Sequence, residues 1–308
     1  MITGRMQVEW QGALARHFGS DLNLLLQQFG AEVVHAEELT RLVSRRQRKA
    51  VFKLKLADGR LLKARRFRTG QEVVLAAALA PLLDGRHYSR VLANLGTSTL
   101  EEWRSGTVLA AEAVTTGHAR KAGELLGRLH MTTGLPGPEA APVLMVAEHL
   151  GLMQEHLAAL LEQGVLASSD AASLLELALG TMPAHFEAGL IHGDFCIENM
   201  VVSSSGELVL IDNESMCVGP LDFDIARAWC RWPMTTAARA GFVTGYTQFR
   251  GLESFTPHCQ FWAIRALLMS VYVHLKHERP CQPAVTALKR LAAGAESGYW
   301  ASLAQVER

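Results

Sequence analysis

The chain has 308 residues, of which 49% are hydrophobic and 19% charged, with 30 Lys/Arg against 30 Asp/Glu. That balance builds a folded core and excludes a largely disordered or fibrous chain, and the length suits two lobes. The longest apolar run, Val73 to Leu83, contains Pro81 and falls short of the ~20 residues a membrane span needs. Residues 1–10 carry no secretory signal pattern, and the five cysteines (Cys196, Cys217, Cys230, Cys259, Cys281) have no Cys-x-x-Cys spacing. A cytoplasmic chain with reduced thiols and no zinc is expected.

The charge is unevenly spread. Residues 1–128 hold 20 Lys/Arg and 12 Asp/Glu, residues 129–226 hold 14 Asp/Glu and no Lys or Arg, and residues 227–308 hold 10 and 4. A ligand of the middle segment should be cationic or bring its own cations, and neither a nucleic acid nor a membrane is expected as a partner.

In chain order, residues 8–29 carry apolar positions at helical spacing up to Gly30, which predicts a helix. From Ala50, Phe52, Leu54 and Leu56 alternate with Val51, Lys53 and Lys55 up to Asp58-Gly59, a hairpin-turn dipeptide. The return strand is Leu61 to Phe67. Residues 71–83 read as helix, and 90–95 with 98–103 as strands. Helices follow over 119–132, 144–163, 168–188, 222–231, 235–250, 257–278 and 283–306. The exception is 190–213, where Met200–Val202 and Glu207–Ile211 flank Ser203–Gly206 as a hairpin.

The chemistry concentrates in Ile191-His192-Gly193-Asp194-Phe195-Cys196-Ile197-Glu198-Asn199 and in Leu210-Ile211-Asp212-Asn213-Glu214. Asp194 and Asn199 are five apart, and Asp212 follows thirteen later across the hairpin. Mg²⁺ takes oxygen ligands from one or two carboxylates, phosphates and water. A separate carboxylate beside it can orient or deprotonate a hydroxyl. The set fits phosphoryl transfer.

The segments HGDFCIEN, LVLIDNE and GPLDFDIA resemble the aminoglycoside phosphotransferase and choline kinase family, relatives of protein kinases. The resemblance covers roughly residues 40–275. It implies an α+β, protein-kinase-like two-lobed fold, with an antiparallel N-lobe sheet (1–102) and a mainly helical C-lobe (103–308). It implies that Asp194 is the catalytic base, that Asn199 and Asp212 bind Mg²⁺, and that His192 orients the loop. Asp224 would brace that loop, with Asp222 the competing choice, and Glu214 would touch a second metal or the acceptor. For the nucleotide, ATP or alternatively GTP, the resemblance implies Lys63 with Arg65 as alternative. It also implies Glu72 as the carboxylate holding that lysine, Ser44 in the phosphate loop, and the Glu102–Trp103 hinge at the base. Leu125 to His130 resembles the family's helix ending in Leu-His. The stretch Leu42 to Lys49 has no glycine and four basic residues between Arg45 and Lys49, a departure from a phosphate loop built on backbone N–H groups.

The implied activity is an ATP- and Mg²⁺-dependent transfer of the γ-phosphoryl group to a hydroxyl of a small molecule, an amino sugar, amino alcohol or similar metabolite. The glycine-free loop motivates the alternative of a non-catalytic, kinase-like nucleotide-binding or regulatory module. Trp229, Trp232, Trp262, Arg265 and His274 either line an acceptor pocket or pack the helical core.

Overall fold

The structure, a computed structural model, describes residues 2–40, 49–137, 139 and 141–295, with side chains from Trp10 onward. Its first elements are α1 (Ile2–Phe18), α2 (Asp21–Gln28), β1 (Val33–Glu38), β2 (Ala50–Leu56), β3 (Leu61–Arg66), α3 (Gly70–Leu79), β4 (Val91–Leu95), β5 (Ser98–Glu102) and β6 (Thr107–Val108). Then come α4 (Thr116–His130), α5 (Val146–Glu162), α6 (Ser168–Gly180), β7 (Ala188–Ile191), β8 (Met200–Val202), β9 (Leu208–Leu210) and β10 (Cys217–Pro220). The remaining helices are α7 (Leu221–Arg231), α8 (Thr236–Tyr246), α9 (Cys259–Lys276) and α10 (Gln282–Ala292). No helix among the described residues is long and apolar enough to cross a membrane.

The chain forms two compact units. The first is Met1–Thr107 with Val201–Glu214, and the second is Val108–Met200 with Ser215–Arg308. In the first, a five-stranded antiparallel sheet runs in the order β1-β2-β3-β5-β4. Side chains alternate between the faces of a strand. Phe52, Leu54, Leu56, Leu62, Ala64 and Leu100 therefore share one face and form a core with Phe18, Leu22 and Leu25 of the helical extension. The opposite face is polar: register pairs Lys53 with Lys63, Lys63 with Glu101, and Arg65 with Thr99. Hydrophobic burial against α1 and α2 thus decides which face the charged residues occupy.

The segment 201–214 joins this unit through backbone pairing. Leu210 N–H donates to His87 O at 2.8 Å, Ser89 N–H donates to Leu210 O at 3.2 Å, and the Asn213 amide donates to Ser89 O. The second unit is helical around the short antiparallel pair β7–β10, which places Ile191 opposite Cys217. Helices α4 and α8 approach backbone to backbone. A Cβ on Gly123 would meet Phe242 O and one on Gly245 would meet Arg120 O, both at 2.0 Å.

Several elements differ from the sequence expectation; α10 ends at Ala292, and residues 296–306 of the helix expected over 283–306 lie outside the described residues. The predicted helix 8–29 is two helices, broken where Gly19 takes φ +58°. Strand β1 was not marked by apolar alternation; only Ala36 of it is buried, as suits an edge strand. The predicted helix 168–188 ends at Gly180, and Ala188–Ile191 pairs as a strand instead.

Candidate active site

In the first unit, six charged groups gather at the polar sheet face. Lys63 Nζ lies 2.8 Å from Glu101 and 3.7 Å from Asp212. Arg65, 1% exposed, donates through Nε to Glu101 at 2.9 Å and through its terminal nitrogens to Asp212 and Glu214. Lys49 Nζ reaches Glu214 at 3.3 Å. Burial alone would raise the Glu101 carboxyl, but Arg65 and Lys63 hold it below the usual carboxylate value. Burial would likewise lower Arg65, and the three carboxylates raise it instead. Both charges are therefore fixed, as buried ions must be when their partners are close.

Asp212 has φ +63°, left-handed backbone that asparagine and aspartate tolerate better than most residues. Such conformations persist where the surroundings over-determine them, often at functional sites. Here the Arg65 and Lys63 contacts and the Asn213 anchor supply that constraint.

Two sequence assignments are corrected in this unit. The carboxylate holding Lys63 is Glu101, whereas Glu72 closes a capping box on α3: it accepts from Arg68 N at 2.8 Å and Thr69 N at 3.4 Å. An acid three residues past a threonine at a helix start satisfies the cap locally, so its spacing from Lys63 carried no information. Glu102, expected to offer its backbone to the base, donates its N–H to Arg90 O at 2.9 Å. Its carbonyl accepts from Ser89 Oγ at 2.7 Å, and its carboxylate pairs with Arg90 and Arg104. Trp103 carries the Lys53 ammonium 4.6 Å above its ring. It lines an open cleft of about 480 Å³ with Arg86, Arg104, Ser203, Ser205 and Val209. Ser44 lies outside the described residues.

In the second unit the loop after β7 is built around Asp224. This buried carboxylate accepts the backbone N–H of His192, through Oδ2, and that of Gly193 at 2.8 Å. His130, at the end of α4, lies 3.7 Å from Asp224 and bonds Tyr246 Oη at 2.9 Å. Gly193 takes φ +73°, and a Cβ there would meet Ser215 O at 2.6 Å. Asp222, two residues earlier on α7, points elsewhere and accepts from Ser254 Oγ at 3.1 Å. Of the two acids, Asp224 is the one bonded to the loop backbone, because the two carboxylates leave the helix in different directions.

Asp194 follows Gly193 half-buried. Asn199 Nδ2 donates to its carbonyl at 2.9 Å and to its Oδ2 at 3.2 Å, and an Arg227 terminal nitrogen donates to Oδ1. Burial would raise the Asp194 carboxyl, yet Arg227, Arg231 and His192 hold it below its ordinary value. Because the Asn199 amide nitrogen is committed to Asp194, its oxygen is the atom suited to a cation. Cys196 is buried and its thiol is pushed up by desolvation, so it packs the loop and is no nucleophile.

Sequence reasoning missed Glu101 and Arg227. Glu101 was legible only as one of two adjacent acids ending a strand; register with Lys63 selects it. Arg227 falls three residues past Asp224, on the same helical face, which was the available signal.

Asp212, in the first unit, and Asn199, in the second, each carry a hard oxygen donor of the kind Mg²⁺ prefers. Among the described residues no group of three or more His, Cys, Asp or Glu is arranged to hold a metal ion.

Residues 33–259 match the profile of the phosphotransferase enzyme family. No curated protein matches the chain by sequence. Among solved structures, the macrolide 2′-phosphotransferase MphH apoenzyme from Brachybacterium faecium superposes with TM-score 0.59 at 18% identity, covering 88% of this chain and 96% of that one. A choline/ethanolamine kinase family protein from Mesorhizobium loti gives TM-score 0.61 at 15% identity, over 88% and 92%. The ADP-bound aminoglycoside phosphotransferase APH(2″)-Ib gives 0.61 at 13%, over 90% and 99%. At such identities these likenesses establish the fold, which is the protein-kinase-like α+β architecture.

Proposed function

The chain belongs to the phosphotransferase enzyme family, and from that premise we propose that it transfers the γ-phosphoryl group of ATP to a hydroxyl of a small molecule. GTP is the alternative donor. The observation that carries the reading is the clamped Asp194, a carboxylate kept ionised by Arg227 and oriented by Asn199. In the reaction, the acceptor hydroxyl gives its proton to Asp194 as its oxygen attacks the γ-phosphorus. The bond from that phosphorus to the β-bridging oxygen breaks, and the nucleoside diphosphate leaves.

Lys63, fixed by Glu101, positions the phosphates, and Trp103 sits at the cleft suited to a base. Ser44 is proposed at the phosphates from the resemblance alone, and Glu214 at the acceptor or a second metal. Asp212 and Asn199 would hold Mg²⁺, which when bound neutralises phosphate charge. Arg65 competes for Asp212 and Glu214 oxygens, so nucleotide binding requires those contacts to loosen or be shared. The ADP-bound relative supports nucleotide use here.

The first experiment is thermal unfolding with Mg²⁺ and increasing ATP or GTP, for wild type and Asp212→Ala. Ligand at ~100 times its dissociation constant adds ~2.7 kcal/mol. A Mg²⁺-dependent rise in wild type that shrinks in the variant is expected. No rise at millimolar ATP or GTP defeats the reading in favour of a non-catalytic module. Amino sugars and amino alcohols, to which the acid-only segment points, belong in the first acceptor panel beside hydroxy acids.

A further inference from the structure

The helical unit contains a second buried group of charges, of which the proposed transfer uses only Arg227. Arg265 on α9 is 6% exposed, and its Nε and one terminal nitrogen have no hydrogen-bond partner. No carboxylate pairs with it among the described residues. Its guanidinium lies 5.4 Å from the centroid of Phe223 on α7, and the other charge acting on it is Arg227, also buried. His149 and His156 on α5 lie within electrostatic reach of Arg265, and each has a buried ring nitrogen without a partner. Burial, reinforced by Arg265, brings both imidazoles down to about 4, so near neutral pH each is an uncharged ring with one N–H to donate.

Two guanidinium groups removed from water repel each other and lose their solvation, and of the two only Arg227 has an acid partner, Asp194. Arg265 itself is lowered to about 10 by that burial and by Arg227. The other unit provides the contrast: buried Arg65 has Glu101, Asp212 and Glu214 around it. The nearby acids of the helical unit are engaged elsewhere: Asp222 with Ser254, Asp224 with the His192 and Gly193 amides, and Glu198 with Arg231. What Arg265 lacks is an anion. Arg227 connects it to the chemistry, because one terminal nitrogen holds Asp194 while its Nε has no partner.

We propose that Arg265, with Arg227, His149 and His156, is the acceptor's anion subsite, so that the small molecule phosphorylated here carries a carboxylate or phosphate group besides its hydroxyl. The inference rests on the phosphotransfer reading above and fixes the charge class of the acceptor. That class is opposite in sign to the amine to which the acidic middle segment pointed. The reason is that Arg227 and Arg265, from the basic last segment, pack into the same unit.

The test uses the full chain, as wild type, Arg265→Met and Arg265→Lys, in thermal unfolding at matched ionic strength. The probes are glycerate, inorganic phosphate, glycerol and a sodium chloride control. Wild type should gain several degrees from glycerate or phosphate over the chloride control and nothing from glycerol; which anion acts tells carboxylate from phosphate. Arg265→Met should lose that gain, keep its Mg²⁺·ATP shift, and unfold in chloride at or above the wild-type temperature, since it removes an unpaired buried cation. Arg265→Lys should keep a reduced anion shift, which preserves the test if the methionine variant fails to fold. In turnover, a hydroxy acid or sugar phosphate should exceed its uncharged counterpart by about 100-fold in kcat/KM. Equal shifts from anions and chloride, or an anion shift unchanged in both variants, overturn the subsite while a retained Mg²⁺·ATP shift leaves the phosphotransfer reading intact. Loss of the Mg²⁺·ATP shift in wild type overturns the reading beneath it.

Discussion

Arg227, one helical turn beyond Asp224 on α7, donates a hydrogen bond to Oδ1 of Asp194. One helix thereby serves the loop twice. Asp224 fixes the backbone of His192 and Gly193, and Arg227 fixes the charge of the residue that follows. Because Arg227 lowers the Asp194 pKa, the proposed base stays ionised well into acid. Arg227→Gln should raise that pKa and move the acid limb of the kcat/KM profile to higher pH. A pH–rate profile of the two proteins decides it, and an unmoved acid limb would place the control of Asp194 elsewhere.

Asp194→Ala removes the group proposed to accept the hydroxyl proton and leaves every first-unit contact in place. Turnover should drop by about 10²–10⁴-fold, while the Mg²⁺·ATP thermal shift stays within error of wild type. Acceptor-dependent ADP release measures the first quantity and a melting curve the second. Near wild-type turnover would remove Asp194 from the mechanism.

Glu101 and Glu72 are separable by substitution. Glu101→Gln leaves Lys63 and Arg65 buried with one carboxylate fewer and should cost about 3 kcal/mol of stability, with weaker ATP binding. Glu72→Ala loses only a helix cap, about 1 kcal/mol, with ATP binding unchanged. Denaturant melts and nucleotide titrations of both variants check the pair. Equal effects on ATP binding would return Glu72 to the lysine.

Asp222 gives stability a pH dependence of its own. Burial pushes its carboxyl up to about 6 from 3.8. Between those values the folded chain retains a proton that the unfolded chain has released, so this group's contribution falls as pH rises and the cost remains above pH 6. A shift of that size is worth up to about 3 kcal/mol. Asp222→Asn, which can still accept from Ser254 Oγ, should be more stable than wild type at pH 7–8, with the difference fading toward pH 4. Urea melts across that range would show it, and a pH-independent difference would contradict the assignment.

Much of this site was legible in the sequence because it is local. Asp194 and Asn199 share one short loop, and the helix phase of Asp222 and Asp224 left only two choices for the brace. The alternation of Phe52, Leu54 and Leu56 against Lys53 and Lys55 fixed which strand face would be polar. The helix stop at Gly180 and the pairing of Ala188–Ile191 with Cys217–Pro220 were not legible. Strand identity there comes from a partner more than twenty residues away rather than from its own period.

By itself the sequence determined the residue types, the loop spacings and most of the element order, since these follow from periodicity and from motifs a few residues long. Only the tertiary structure decided which acid meets which cation. Glu101 meets Lys63 through cross-strand register, Arg227 meets Asp194 by one helix turn against a loop, and Arg265 is left with no acid at all. The physical reason is that Coulombic pairing depends on separation in space and on burial. Two acids adjacent in the chain, such as Glu101 and Glu102, can therefore end in wholly different company.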